Sequence, residues 1–484
     1  MKARFVFLAL TISVLCHAQS FEERYRQFRQ QAQQEYTDFR DAANQHYSEF
    51  LRSAWEYYKI EPAIPKPKEE DVPPVVYDDK QGEKNNEHED NPVPYDDILT
   101  QPQPSPQPQP VSPIIENNEH ENSLQLKFYG TELTFRYPKQ GFSLKSVSGD
   151  NLANAWQELS SAKYDNLIYD CLSARDNLRL CDWAYLSLLQ TISESVCGKG
   201  NAAVFLQAFV YVQSGYQMRF AVNQQQLYML VGTKYVLYDR GYFTLDGMRF
   251  FPLSDISKIA DGMQICSGAF EHEQPFSLRI PHEQKFTFHP SKQITRRAQS
   301  GVTAQMCVNR NLIDFYNYYP TGHYGEDFSN RWVTYANSPL DEHLKQQLYP
   351  ALSQAVRGVP ELQAVSLLLN WVQTAFEYEY DDKVWGADRA FFPAESLYYP
   401  YCDCEDRSIL FSRIVRDLLG LDVVLLYYPG HLATAVCFNQ PVGGDYLNVK
   451  GKRYVVCDPT YIGAPVGATM PGMDNKTAKV ILLN

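Results

Sequence analysis

Residues 61–123 limit the fold more than any other feature, because they divide the chain into parts that cannot share a core through them. They hold 13 of its 29 prolines and include the run QPQPSPQPQPVSP. Proline lacks an N–H, and the rest of the segment is polar. No stretch here buries enough apolar surface to offset chain entropy. A disordered, acidic, proline-rich linker is predicted, reaching at most on the order of 190 Å at ~3.1 Å per residue. The pentapeptide NNEHE occurs in it twice, at 85 and 117. The pairs Asp78-Asp79 and Asp96-Asp97 lack the ligand spacing of a calcium loop and read as solvated charge.

Ahead of the linker, residues 19–60 carry a repeat. YRQFRQQAQQE, YTDFRDAANQH and YSEFLRSAWEY run consecutively from 25 to 57. Tyr25, Tyr36, Tyr47 and Tyr58 are eleven apart, as are Phe28, Phe39 and Phe50. Eleven residues fit three helical turns almost without drift, so one long helix with an aromatic seam is predicted. The seam packs on the protein's own body, or it serves self-association or an envelope partner. The linker would uncouple it from the globular part of the chain. A chain starting near Ser123 is therefore expected to keep its fold.

Residues 1–18 read as a signal peptide. Lys2 and Arg4 form a basic start, Phe5 to Leu15 an apolar core too short to span a membrane, and Ala18 a small residue at the cleavage point. Leu15 stands where a lipoprotein signal at Cys16 calls for a small residue. A secreted or periplasmic protein without a transmembrane span is expected. Removing the leader takes the formal net charge from −13 to −15, which disfavours nucleic acid and anionic membrane surfaces. Nine cysteines remain, so an oxidising compartment leaves at least one unpaired within the chain.

Globular sequence begins near Leu124. LQLKFYG and ELTFRYP alternate as strands do, and AAVFLQAFVYVQSGY (202–216) is an apolar helix closed by Gly215. QLYMLVG and KYVLYDRGYF read as adjacent strands, 251–345 as a strand-rich connection, and helices resume in 346–484.

The last segment holds an ordered set. Cys404 starts a helix, His431 opens a strand after a Pro-Gly turn, and Asp458 ends another strand before Pro459-Thr460. A thiol becomes a nucleophile beside a base or a helix N-terminus, and a carboxylate can fix that base. Cys402, outside the helix, reads as a non-essential neighbour. A metal at Cys402 and Cys404 with Cys437, Cys457 or His431 fits poorly: Cys-x-Cys is not the usual zinc spacing, and strand alternation turns Cys457 away. A Cys402–Cys404 disulfide would be strained. No metal or cofactor is expected.

These motifs, DCED (403–406), LLGLD (418–422), GHLATAV (430–436) and CDPTYIG (457–463), resemble those of the transglutaminase-like superfamily across about 360–463, with one residue inserted before Gly420. The resemblance implies an α+β papain-like fold, with the cysteine helix on an antiparallel sheet. It also implies amide-bond cleavage or exchange through a thioester. Cys404 would be nucleophile, His431 base then acid, and Asp458 its orienter; the Cys404 N–H would face the oxyanion, with Trp385 a weaker side-chain candidate. A peptide or protein substrate is implied, with hydrolysis leading over glutamine–lysine joining and a non-catalytic adaptor as rival.

An upstream region, 124–250, repeats this grammar in degenerate form. Gly215-Tyr216 matches Gly420-Leu421, QLYMLV falls on HLATAV, and KYVLYDRGY falls on RYVVCDPTY. Asp239 would keep the acid place, while Gln226 replaces His431 and Lys199 replaces Cys404. Such a copy cannot do triad chemistry.

Overall fold

The computed structural model describes residues 21–68, 72–78, 90–100, 107–111, 114, 116, 121–257, 259 and 261–484; the expected leader, 1–18, lies outside them. Helix α1 (Phe21–Ser53) is the predicted long helix. Its two halves differ. Tyr47 and Leu51 are buried, and the Tyr47 ring lies 4.4 Å from Trp156 and 4.7 Å from Phe270. Asn44 is buried too, accepting from Trp156 Nε1 at 2.9 Å and Gln213 Nε2 at 2.8 Å, and Arg40 pairs with Asp165 at 2.8 Å. Tyr25, Phe28, Tyr36 and Phe39 are exposed. The second half of the seam therefore packs on the protein's own body.

The described parts of 61–123 differ from the expected free linker. Strand β1 (Trp55–Lys59) leads into them, and β2 (Asn91–Pro92) and β3 (Asp97–Leu99) lie within them. Extended backbone needs no core of its own if it borrows partners at sheet edges, and this segment does so. Gln109 and Val111 run along the end of the helix Asn201–Gln213. The Val111 N–H donates to Gln213 O at 3.0 Å, and the Gln109 carbonyl comes so close to Gly215 (φ 92°) that a Cβ there would sit 1.9 Å from it. Only glycine fits that approach.

The body is built on two modules. In the first, helix α2 (Asn201–Gln213) is succeeded by β4 (Met218–Asn223), β5 (Gln226–Thr233), β6 (Phe243–Leu245), β7 (Met248–Pro252) and β8 (Gly262–Cys266). In the second, helix α3 (Cys404–Leu419) is succeeded by β9 (Asp422–Tyr428), β10 (His431–Cys437), β11 (Asp445–Val449), β12 (Lys452–Cys457) and β13 (Lys479–Leu482). The sheet orders are β1-β8-β4-β5-β7-β6 and β2-β11-β12-β10-β9-β13-β3. Removing the borrowed strands leaves 8-4-5-7-6 and 13-9-10-12-11, the same antiparallel order in the same chain sequence. Each helix packs on the first hairpin of its sheet. The protein is thus mixed α and β, with a repeated helix-and-sheet unit.

The repeat corrects three positions. KYVLYD is not the third strand: Tyr235–Leu237 pairs with Gly322–Tyr324 in a separate ladder, and β7 takes the place of β12. Asp239 instead holds the described part of 61–123, a strap, donating its N–H to Ile64 O at 2.9 Å and accepting from the Lys66 N–H at 3.3 Å. Lys199 precedes α2 in an exposed turn, so the helix-start counterpart of Cys404 is Asn201. The connection 251–345 is also less strand-rich than expected. Its strands are short, and helices Arg310–Tyr316 and Val333–Asn337 interrupt them. Among the described residues, no helix is long and apolar enough to cross a membrane.

Candidate active site

Asp403, in extended conformation, is the N-cap of α3, so Cys404 is its first helical residue. Glu405 and Asp406 fill the first turn, and Gly420 (φ 66°) closes the other end in the left-handed region. Cys404 is buried, and its thiol donates to Glu405 Oε2 at 3.2 Å. Cys402 is buried in a two-residue strand ahead of the helix, and the nine described cysteines form no disulfide.

His431 faces Tyr428 across the Pro429-Gly430 turn, and its Nε2 lies 2.9 Å from Asp458 Oδ2. The other oxygen of Asp458 accepts from the N–H groups of Thr460 at 2.8 Å and Tyr461 at 3.2 Å. Those bonds fix the carboxylate, and the carboxylate fixes the ring. His431 Nδ1 is buried without a hydrogen-bond partner. The structure thus brings His431 and Asp458 together, and the Cys404 thiol donates to Glu405. Ser408, one turn beyond Cys404, donates to Leu432 O at 2.6 Å, which seats the start of α3 against the start of β10.

The first module shows how close these two places are. Gln226 opens β5 as His431 opens β10, each after a two-residue turn. The Asn201 side chain donates to Gln225 O at 2.8 Å and accepts from Leu227 N–H at 3.0 Å, straddling Gln226. Register assigns the third place: Thr434 faces Cys457, while the Leu253 N–H bonds Met229 O at 3.2 Å, so Ser254 corresponds to Asp458. Asn201, Gln226 and Ser254 cannot form a thiolate–imidazole pair.

Two supporting residues were missed by sequence reasoning. Gln373, on helix Glu361–Thr374, donates to the carbonyls of Asp458, Tyr461 and Ala464 at 3.1, 2.8 and 3.2 Å. Arg407, fully buried, donates to Gln373 O and Phe376 O. Both lie on predicted helices, but nothing in their spacing points to the loop they hold. Trp385 packs edge-on against Phe391 and Tyr399, under the Arg389 guanidinium, as a structural aromatic does.

Acids crowd this end of α3. Asp381, Asp403 and Asp406, and separately Asp381, Asp388 and Glu405, each bring one oxygen within 4.8 Å of the others. Asp403 Oδ1 and Asp406 Oδ2 are buried without partners. Such all-oxygen sets could hold a hard divalent cation; neither includes a cysteine or histidine. Burial, reinforced by the neighbouring carboxylates, pushes Asp403 and Asp406 well above the ordinary carboxylate range, and Asp381 up to about 8. Such carboxyls keep protons that the unfolded chain releases near a pKa of about 3.9, so stability is fully present below that value. It falls as pH rises toward the folded value of about 8. Asp406→Asn keeps an oxygen for the Phe391 N–H, which Asp406 Oδ1 accepts at 2.7 Å, and removes one ionisation. In chelator-containing buffer it is expected to melt at least about 2 °C above wild type at pH 8, with the gap narrower at pH 5 and gone only below about pH 3.9. Identical melting at pH 8 would count against the buried-acid account.

No family model and no curated protein matches this chain.

Proposed function

We propose that the chain is an exported thiol hydrolase of transglutaminase-like, papain-like fold, cutting peptide or amide bonds in its C-terminal module. The observation that carries this reading is the buried His431–Asp458 bond, with Nδ1 unpartnered, on a strand whose next residue, Leu432, is bonded by Ser408 of the helix that begins at Cys404. A proton held on Nε2 by Asp458 leaves the Nδ1 lone pair free to act as base. The Cys404 thiol then turns from Glu405 to Nδ1 and gives up its proton. The sulfur electron pair attacks the substrate carbonyl carbon, and the carbonyl π pair moves onto oxygen. That oxyanion meets N–H groups of the first turn of α3, which no intrahelical carbonyl satisfies. Collapse expels the amine, which takes the proton from Nδ1 and leaves a thioester. Water, deprotonated by the same nitrogen, releases the acid and restores the thiol.

The first module lacks this chemistry and serves as a structural or substrate-holding partner. The outward half of α1 is the segment this reading assigns to an envelope partner or a second copy. The test is incubation of wild type and Cys404→Ala with envelope peptides, with and without an added primary amine, read by mass spectrometry. Mass gains of one water per cut only in wild type are expected. Amine adducts as the main product would make the protein an acyltransferase, and no product in either chain would favour a binding role.

A further inference from the structure

The segment that leaves the first module passes along the candidate site. The Lys66 amine bonds the Asp388 carbonyl. The Val72 N–H donates to Gly430 O at 2.9 Å, one residue before His431. Val75 O accepts from Ile462 N–H at 2.8 Å, and Tyr77 N–H donates to Ile462 O at 2.9 Å, four residues after Asp458. Two backbone bonds around one residue, in a parallel bridge at Val76, form the pattern of an added strand. The side chains alternate as that pattern requires. Val75 and Tyr77 pack with Val72 onto Tyr461, Ala464 and Met470, while Val76 is 73% exposed. The Tyr77 and Tyr461 rings stand edge-on at 5.5 Å.

The repeat shows what this contact means for Cys404. The counterpart of Gly430 is Gln225, whose carbonyl accepts from Asn201, the counterpart of Cys404. Val72 therefore caps the carbonyl that the helix-start residue reaches in the other copy. Cys404, His431 and Asp458 are each 2% exposed, so a substrate carbonyl needs something to move before it meets the sulfur.

We propose that the groove between the Pro429-Gly430 turn and the Tyr461–Ile462 loop is an extended-peptide subsite, that Val72–Tyr77 is its resident occupant, and that substrate enters by displacing it. The occupant defines the ligand class: an extended, proline-containing polypeptide that pairs with Ile462 and offers branched and aromatic side chains at alternate positions. Pro73-Pro74 pre-forms that shape at low entropic cost. The proposal deepens the thiol-hydrolase reading and rests on it.

The experiment measures the rate at which iodoacetamide alkylates Cys404 in the full mature chain, mapped by mass spectrometry. Val72→Pro removes the donor to Gly430, and Tyr77→Ala empties the side-chain pocket. Each is expected to raise the Cys404 rate at least tenfold, and a synthetic peptide of residues 72–78 to reverse the rise. Unchanged rates in both variants would overturn the proposal. Unfolding would show itself as simultaneous labelling of buried Cys457. In that event the wild type decides: a bulky maleimide adduct on Cys404 should strip hydrogen-exchange protection from the Val72 and Tyr77 amides, and retained protection overturns the subsite. Faster alkylation without any peptide cleavage would leave the subsite standing and remove the hydrolase reading.

Discussion

Cys404→Ala and His431→Ala are each expected to lower kcat/KM for peptide cleavage by at least about a thousandfold, and the double variant no further. The thiol and the imidazole act on one proton, so losing either abolishes the same step. Asp458→Asn tests the geometry more finely. Asn keeps an oxygen for the Thr460 and Tyr461 N–H groups, which bond Asp458 Oδ1. Its amide nitrogen, however, would donate toward Nε2, where Asp458 Oδ2 now accepts. The ring proton would move to Nδ1, and the nitrogen assigned to the thiol would no longer be a base. A loss of about a hundredfold or more, with unchanged melting, is expected. Gln226→Ala and Ser254→Ala, at the corresponding places of the first module, should change the rate less than threefold. Cys404→Ala activity within tenfold of wild type would remove the thiol mechanism.

The places of Cys404, His431 and Asp458 in the fold were legible because each stands at a boundary that sequence marks well: a helix start, a Pro-Gly turn and an Asp-Pro step. Gly420 marked the helix end as plainly. The third strand of the first module was not legible, because Tyr235–Leu237 and Met248–Pro252 read alike, and only register tells which lies beside β5. The same ambiguity put Asp239 where Ser254 belongs, whereas Lys199 stood for Asn201 because α2 has 13 residues and α3 16, so counting back from Gly215 as from Gly420 overshoots the helix start. The carboxylate cluster escaped notice because Asp381 and Asp388 are separated in sequence from Asp403 and Asp406. The strap escaped for a different reason. Composition reports whether a segment can build a core, and β2 and β3 build none. They are two and three residues long and depend on the edges of β11 and β13.

A chain beginning at Ser123 should therefore lose its cooperative melt and collect as aggregate, against the expectation that its body stands alone. Deleting the preceding residues removes Tyr47 from its packed site beside Trp156, and the buried Leu51 with it. Each loss of that kind costs about 2–5 kcal/mol, against a typical total of about 5–15 kcal/mol. The deletion also takes β1 from β8, β2 from β11 and β3 from β13, leaving strand edges open for pairing with other chains. Asn44 leaves as well, and with it the acceptor for the buried Trp156 Nε1 and Gln213 Nε2. A shorter deletion separates these effects from mere loss of length. A chain beginning at Asp38 loses the exposed Tyr25, Phe28 and Tyr36 but keeps Arg40, Asn44, Tyr47 and Leu51. It should melt within about 2 °C of the full mature chain. Thermal melts and size-exclusion profiles of the three chains decide the matter. A soluble, cooperatively melting chain from Ser123, within about 5 °C of full length, would show that helix and strap decorate the two modules rather than complete them.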